Sequence, residues 1–358
     1  MSKIKVLVVD DSAVYRKILT NILSQDPQIE VVGSAANGKI ALELIRRLKP
    51  DVITLDLEMP EMDGLETLDH IKREDLPVGA IVFSSHSHSG AKLTFEALEK
   101  GAFDFLPKPS NNSFTQNVRK IATSLIPKIK LCYAKKSFST QQVQQTIRSA
   151  HLTQIDKPKS RMFLVTKKDA VAIGSSTGGP SALKEVLSQL DPKISVPIFI
   201  AQHMPPVFSA QLAERLNNMC PLTVKEAENG EIVRSKVVYI APGDYHMEVK
   251  KRAEQVVIKL HKGPPENNCR PSVDVLFRSA AQVYENKILA VILTGMGNDG
   301  LKGAKMLKEK GAYVVAQDEE SSVVWGMPGA VAKAGIADEI VPLHKIAHLI
   351  SEVSKKII

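Results

Sequence analysis

Val171-Ala172-Ile173-Gly174-Ser175-Ser176-Thr177-Gly178-Gly179-Pro180 decides how the larger half of this 358-residue chain is read. The apolar run from Ala170 to Ile173 spells a buried strand. Small residues then make a tight turn, and Pro180 opens an amphipathic run from Ala182 to Leu190. Proline is tolerated in the first turn of a helix because the N–H it lacks has no partner there anyway. A strand, a turn with Ser176 in the middle of Gly-x-Ser-x-Gly, and a helix together have the layout of a nucleophile elbow, which lifts a hydroxyl above a sheet edge. The same residues could instead form a phosphate-cradling loop at a helix N-terminus, or only a tight turn.

Downstream residues decide between these readings. Val196 to Ala201 reads as a second buried strand, followed at once by Gln202-His203-Met204-Pro205-Pro206. Ile288 to Leu293 reads as a third, running into Thr294-Gly-Met-Gly-Asn-Asp299-Gly300. Ser176, His203 and Asp299 thus each lie just past the carboxyl end of a hydrophobic strand. In a doubly wound parallel sheet those ends are neighbours in space, and ligands bind beside them. A hydroxyl, an imidazole and a carboxylate brought there can form an acyl-transfer triad. Taken singly, His203 reads as a satisfied polar residue and Asp299 as a turn former; their joint placement favours the triad. The glycines around Met296 leave N–H groups free for a developing oxyanion, a kind of donor worth roughly 3 kcal/mol of barrier. The order Ser, His, Asp differs from the Ser, Asp, His order of α/β-hydrolases, so the elbow does not imply that fold. Short runs at Leu222–Lys225, Val237–Ile240, His246–Val249 and Val256–Leu260 read as further strands, several of them antiparallel.

The N-terminal half is patterned differently. Strands at Lys5–Val9, Ile29–Val32, Asp51–Leu55, Ala80–Phe83 and Phe103–Leu106 alternate with five helical patterns. So regular an alternation requires a parallel sheet with right-handed crossovers. Asp10, Asp11, Asp56, Ser84 and Lys108 fall at the carboxyl ends of its strands. Three carboxylates converging there repel one another unless a cation joins them. Hard oxygen ligands with room for waters and phosphate oxygens suit Mg²⁺. One carboxylate could then act as a nucleophile toward phosphorus, with Lys108 and Ser84 contacting the phosphoryl group. His86 and His88 read as loop residues rather than metal ligands.

Length indicates two or three domains, and 44% hydrophobic content is enough for a core in each. The net charge of +8 sits almost wholly in one segment. Residues 127–168 carry 10 Lys+Arg against 1 Asp+Glu, whereas 1–126 carry 15 against 17 and 169–358 carry 22 against 21. That Ser- and Gln-rich segment reads as a solvated linker extended by self-repulsion. No aromatic platform or recognition helix adjoins it, so a nucleic-acid-binding arm is disfavoured. Cys132, Cys220 and Cys269 show no C-x-x-C spacing and imply a reducing compartment. No apolar run has the length of a membrane span, and no signal peptide is expected, which points to the cytoplasm.

Residues 1–126 resemble a response-regulator receiver domain through Asp10-Asp11, Asp56, Ser84, Phe105 and Lys108-Pro109. The resemblance implies phosphorylation at Asp56, Mg²⁺ held by Asp11, Asp56 and the Glu58 carbonyl beside Asp10, and a switch made of Ser84 and Phe105. Residues 169–358 resemble the catalytic domain of the chemotaxis protein-glutamate methylesterases. The matching motifs are Ile173-Gly-Ser-Ser-Thr-Gly-Gly-Pro180, Gln202-His-Met-Pro205, Ala241-Pro-Gly-Asp-Tyr-His-Met247, Arg270-Pro-Ser-Val-Asp-Val-Leu-Phe-Arg278 and Leu293-Thr-Gly-Met-Gly-Asn-Asp-Gly300. This second resemblance implies an α/β domain with antiparallel additions and a Ser176–His203–Asp299 triad. Thr177 stands beside the nucleophile and the Met296 N–H at the oxyanion. The implied reaction is hydrolysis of glutamyl methyl esters on chemoreceptors, with deamidation of receptor glutamines. A histidine kinase is the implied phosphodonor, and the esterase half needs no cofactor. The receiver is expected to cover the triad until Asp56 is phosphorylated. The competing expectation is a non-enzymatic response regulator that binds a partner or nucleic acid.

Overall fold

The computed structural model describes residues 3–109, 114–146 and 167–354. The chain divides into two compact units, Met1–Ser160 and Arg161–Ile358.

The first unit is built on strands β1 (Ile4–Val9), β2 (Ile29–Ala35), β3 (Val52–Leu55), β4 (Gly79–Ser84) and β5 (Asp104–Pro107), in the order β2-β1-β3-β4-β5. All pairings are parallel. Helices α1 (Ala13–Leu23), α2 (Gly38–Leu48), α3 (Gly64–Arg73) and α4 (His88–Glu99) make the connections, and α5 (Phe114–Thr146) follows β5. Their starts are written locally: the side chains of Asn37, Asp63 and Ser87 accept backbone N–H bonds as N-caps of α2, α3 and α4, satisfying donors that would otherwise be orphaned. The alternation read from the sequence is therefore the observed one.

The linker expected from residue 127 onward is corrected in its first part. Helix α5 continues through Pro127 to Thr146. Ile121, Leu125, Ile129 and Cys132 recur at helical spacing and are all buried in the core of this unit. Lys128 pairs with Asp104, and Lys130 with Asp26 at 2.7 Å. Two of the charges that suggested self-repulsion are thus partnered by receiver acids. Residues 147–166, the rest of the expected linker, lie outside the described residues.

The second unit contains a seven-stranded sheet in the order β14-β13-β12-β6-β7-β9-β8. Its strands are β6 (Ala170–Ser175), β7 (Ile198–Gln202), β8 (Thr223–Glu226), β9 (Val237–Ile240), β12 (Ile288–Ile292), β13 (Tyr313–Gln317) and β14 (Glu339–Val341). A separate antiparallel pair, β10 (His246–Arg252) with β11 (Gln255–His261), stands outside it. Among the described strands only this pair is antiparallel; β8 and β9 join the large sheet in parallel. Helices α6 (Gly179–Ser188), α7 (Phe208–Asn217), α8 (Val273–Tyr284), α9 (Leu301–Glu309), α10 (Met327–Lys333) and α11 (Leu343–Ser354) complete the unit.

β6, β7 and β12 are buried along their whole lengths, as expected for parallel strands with both faces covered. From β6 the chain first builds outward to β7 and later returns to lay β12 on β6's other side. That reversal makes the β12/β6 boundary a topological switch point, where doubly wound sheets bind their ligands. Among the described residues, no helix is long and apolar enough to cross a membrane.

Candidate active site

The switch point collects the three residues singled out in the second unit. Ser175 is in register with Gln202 across β6 and β7, and the His203 N–H donates to the Ser175 carbonyl at 3.0 Å. Ser176 and His203 therefore leave neighbouring strands at the same level. On the other side, Leu293 N–H donates to the Gly174 carbonyl at 2.9 Å, so the chain leading to Asp299 departs next to Ser176.

Gln202 joins the two strand ends. Its amide oxygen accepts from Ser175 Oγ at 2.6 Å, and its Nε2 donates to the carbonyls of Ser176 and His203 at 3.0 and 2.9 Å. A Cβ on Gly179 would lie 1.9 Å from this amide oxygen, so any larger residue there would have to displace the Gln202 amide from its bonds. Gly178, at φ +78°, caps the start of α6. Ser176 itself is not among the residues with positive φ. The strand–turn–helix layout of an elbow is present, but the backbone departure falls on Gly178 instead of straining the serine.

The Thr294–Gly297 loop runs against Ser176. Ser176 N–H donates to the Thr294 carbonyl at 3.0 Å, and Thr294 Oγ1 donates to the Thr177 carbonyl at 2.9 Å. A Cβ on Gly295 would lie 2.8 Å from Ser176 Cβ. The Gly295 N–H is taken by the Val324 carbonyl, whereas among the described residues those of Met296 and Gly297 donate to no backbone carbonyl.

Asp299 is almost fully buried and heavily bonded. It accepts from His203 Nε2 at 2.7 Å, Asn267 Nδ2 at 2.7 Å, Ser272 Oγ at 2.8 Å and its neighbour's Gly300 N–H at 3.0 Å. The N–H groups of Val273 and Asp274, in the first turn of α8, add bonds of 2.7 and 3.1 Å. The carboxylate thus serves as anion at a helix N-terminus, where orphan donors and the helix dipole favour negative charge. Burial alone would raise its pKa; the His203, Val273 and Ser272 bonds overcome this and hold it well below the usual carboxylate range.

His203 shifts the other way. Burial favours the neutral ring, but the Asp299 bond and the contact with Cys269 outweigh it and raise the imidazole above its ordinary value. A carboxylate can only accept, so the proton of the neutral ring is fixed on Nε2 and the lone pair lies on Nδ1. Nδ1 faces Cys269 Sγ at 3.4 Å. Among the described residues no hydrogen bond joins Ser176 Oγ to His203. The His203–Asp299 contact is made, and Ser176 follows the end of the adjoining strand with no hydrogen bond from its hydroxyl among the described residues. Such bonds commonly tighten only once substrate is bound.

In the first unit, one carboxylate oxygen from each of Asp10, Asp11 and Asp56 comes within 4.8 Å of the others. Lys108 Nζ lies 2.6 Å from Asp56 Oδ2 and 3.0 Å from Asp10 Oδ2. Although that close to the ammonium, Asp10 Oδ2 is buried without a well-directed hydrogen bond. Burial pushes Asp56 up to about 6, against the lowering effect of Lys108 and with a further push from Asp10. Asp10 is raised for the same first reason. An orphaned buried oxygen, an exposed Asp11 and an all-oxygen donor set fit a hard divalent cation that keeps its waters. Ser84 Oγ donates to the Gly90 carbonyl at 3.1 Å, Phe105 is buried, and the Glu58 carboxylate accepts from Ser85 Oγ at 2.5 Å.

The fold and these sites define a class: a five-stranded parallel α/β unit with an acidic pocket at its strand ends, followed in the chain by an α/β unit with a serine, a histidine and an aspartate at its switch point. Comparison with known proteins narrows it. A family model described as CheB methylesterase matches residues 171–350, and a response regulator receiver domain model matches residues 6–119. A protein-glutamate methylesterase/protein-glutamine glutaminase of Trichodesmium erythraeum is 46% identical over 349 residues, covering 97% of this chain and 98% of its own. One of Pyrococcus horikoshii is 42% identical over 344 residues, covering 96% and 92%. The crystal structure of the Thermotoga maritima CheB methylesterase catalytic domain is 46% identical, covers 52% of this chain and all of its own, and superposes with a TM-score of 0.51. The chain belongs to the CheB methylesterase family.

Proposed function

We propose that this protein hydrolyses glutamate γ-methyl esters on chemoreceptors, and deamidates receptor glutamines, by acyl transfer through Ser176, His203 and Asp299. The observation that carries the reading is the 2.7 Å bond between His203 Nε2 and Asp299 Oδ2, with Ser176 just past the end of the adjoining strand, level with His203. Ser176 Oγ attacks the ester carbonyl as Nδ1 of His203 takes its proton. Asp299 stabilises the resulting imidazolium. The oxyanion forms beside the unused N–H of Met296, with Thr177 flanking the nucleophile. Nδ1 then returns the proton to the departing methoxide, and methanol leaves. Water, deprotonated by the same nitrogen, releases the glutamate. Deamidation follows the same path with ammonia as leaving group, which makes proton donation by His203 more demanding.

Asp56 is the proposed phosphoacceptor, with a chemotaxis histidine kinase as donor. Asp10, Asp11, Asp56 and the Glu58 carbonyl would hold Mg²⁺, which neutralises charge on the incoming phosphoryl group. Lys108 orients that group, and Ser84 exchanges its bond to the Gly90 carbonyl for a phosphoryl oxygen while Phe105 repacks. The proposed compartment is the cytoplasm, in keeping with the absence of any disulfide among the described residues.

Methanol release from membranes carrying methylated receptor, measured beside a small soluble methyl ester, tests the reading. Wild type is expected to act on the receptor, and Ser176→Ala is expected to lose the activity. Equal rates for the two enzymes would overturn it, and action on the soluble ester alone would replace receptors with small esters.

A further inference from the structure

Cys269 is a nucleophile that the acyl-transfer mechanism does not use, and it stands in line with the groups that do. Its sulfur is 3.4 Å from His203 Nδ1, and the opposite ring nitrogen is 2.7 Å from Asp299. When the ring is neutral its proton sits on Nε2 toward Asp299, and the Nδ1 lone pair is the acceptor within reach of the Cys269 thiol. Thiol, imidazole and carboxylate therefore form a continuous hydrogen-bonded line, the arrangement that lets a base draw off the proton as sulfur attacks.

The contact rests on a turn with little freedom. Glu266 and Cys269 exchange backbone bonds of 3.1 and 2.9 Å, with Asn267 and Asn268 at φ +53° and +61° between them. Glu266 accepts from the two terminal guanidinium nitrogens of Arg278, at 2.7 and 2.6 Å. From the same turn Asn267 reaches Asp299. One short segment thus delivers an amide to the carboxylate and a sulfur to the imidazole. Cys269 is only partly buried, whereas Cys132 is fully buried and burial pushes the Cys220 thiol up.

We propose that Cys269 is a reactive thiol sharing the His203–Asp299 pair with Ser176, a modification site for small carbon electrophiles whose occupation silences ester hydrolysis. The inference rests on the proposed role of His203 only for its second half. In the step itself, an S–C bond forms as the carbon–halogen bond of an alkyl halide breaks. The halide departs, and the thiol proton passes to Nδ1 and then to solvent. The appended group then occupies the space next to Nδ1 through which the Ser176 proton must pass.

Iodoacetamide, with peptide mapping by mass spectrometry on the full-length protein, supplies the test. Cys269 is expected to be carbamidomethylated at least tenfold faster than Cys220 or Cys132, and His203→Gln is expected to slow that labelling at least tenfold. Receptor-ester hydrolysis should fall in step with the Cys269 label, to below a tenth at one equivalent. Cys269→Ala, treated identically, should keep its own untreated rate. Earlier reaction of Cys220 would overturn the reactive thiol. Undiminished hydrolysis by enzyme labelled at Cys269 would overturn the sharing of the base. Both labelling measurements need no ester substrate, so failure of the esterase reading alone would leave them standing.

Discussion

His203 and Asp299 meet at 2.7 Å through Nε2 and Oδ2, although 96 residues separate them. The carboxylate is in turn held by the first turn of α8, so the imidazole's orientation is set by three separate segments. Because Asp299 raises the ring's pKa, the free base is the minority form until the pH passes that raised value. kcat/KM is therefore expected to fall on the acid side of a midpoint above the ordinary imidazole value of 6.5. Stability has the opposite sign. A group whose folded pKa is raised contributes fully below its unfolded value, and the contribution is lost as pH rises through the folded one. A pH–rate profile beside denaturant midpoints over the same window checks both.

Asp299→Asn removes the charge and lets the ring adopt the other tautomer. The rate is expected to drop on the order of a thousandfold or more, with the acid-side midpoint moving toward or below the ordinary imidazole value. Steady-state kinetics across pH measure this, and an unchanged midpoint would contradict the assigned cause.

Gln202→Ala leaves the buried Ser175 hydroxyl and the Ser176 and His203 carbonyls without their shared partner. Leaving a buried polar group unsatisfied costs about 1–3 kcal/mol, and kcat should fall along with stability because both site residues lose their anchor. Urea unfolding and turnover on the same preparation test this.

Gly295→Ala places a methyl group 2.4 Å from Met327 Sδ and 2.8 Å from Ser176 Cβ. The loop or the serine must move, and a displacement of about 1 Å at a reacting group can cost a hundredfold in rate. A lower kcat with KM much less affected is expected.

The acidic pocket of the first unit is more comfortable with a proton. Asp56, raised chiefly by burial to about 6, contributes stability that is complete below its unfolded value of 3.8 and lost as pH rises through about 6. In Mg²⁺-free buffer at neutral pH, Asp56→Asn should therefore melt higher than wild type. Mg²⁺ should raise the wild-type midpoint more than the variant's. Acetyl phosphate with Mg²⁺ should stimulate ester hydrolysis by wild type and leave Asp56→Asn unchanged.

Much of this was legible in the sequence because parallel strands buried on both faces are written as unbroken apolar runs, and their ends mark where chemistry collects. That rule puts Ser176, His203, Asp299, Asp56 and Lys108 past the carboxyl ends of strands, which is where the fold has them. It was blind to residues that act through one another. Gln202 was read only as part of a motif, yet a glutamine at the end of a buried strand has to satisfy several groups at once. Asn267, Ser272 and Cys269 converge on Asp299 and His203 from a loop whose path no periodicity encodes. The basic segment misled because charge counting ignores partners: Lys128 and Lys130 face acids of the receiver, and Ile129 and Cys132 continue the buried stripe of α5. β8 and β9 misled because alternation in short strands does not report direction.

The central claim is that the Ser176 hydroxyl becomes acylated, using the His203–Asp299 pair as its base. Rapid acid quench of the enzyme mixed with a methyl-esterified receptor peptide, followed by mass spectrometry of the tryptic fragments, tests it most directly. The expected result is an acyl adduct on the fragment bearing Ser176, absent from Ser176→Ala and formed far more slowly by His203→Gln. Methanol release by Ser176→Ala at the wild-type rate, with no adduct on any serine of the wild type, would contradict it.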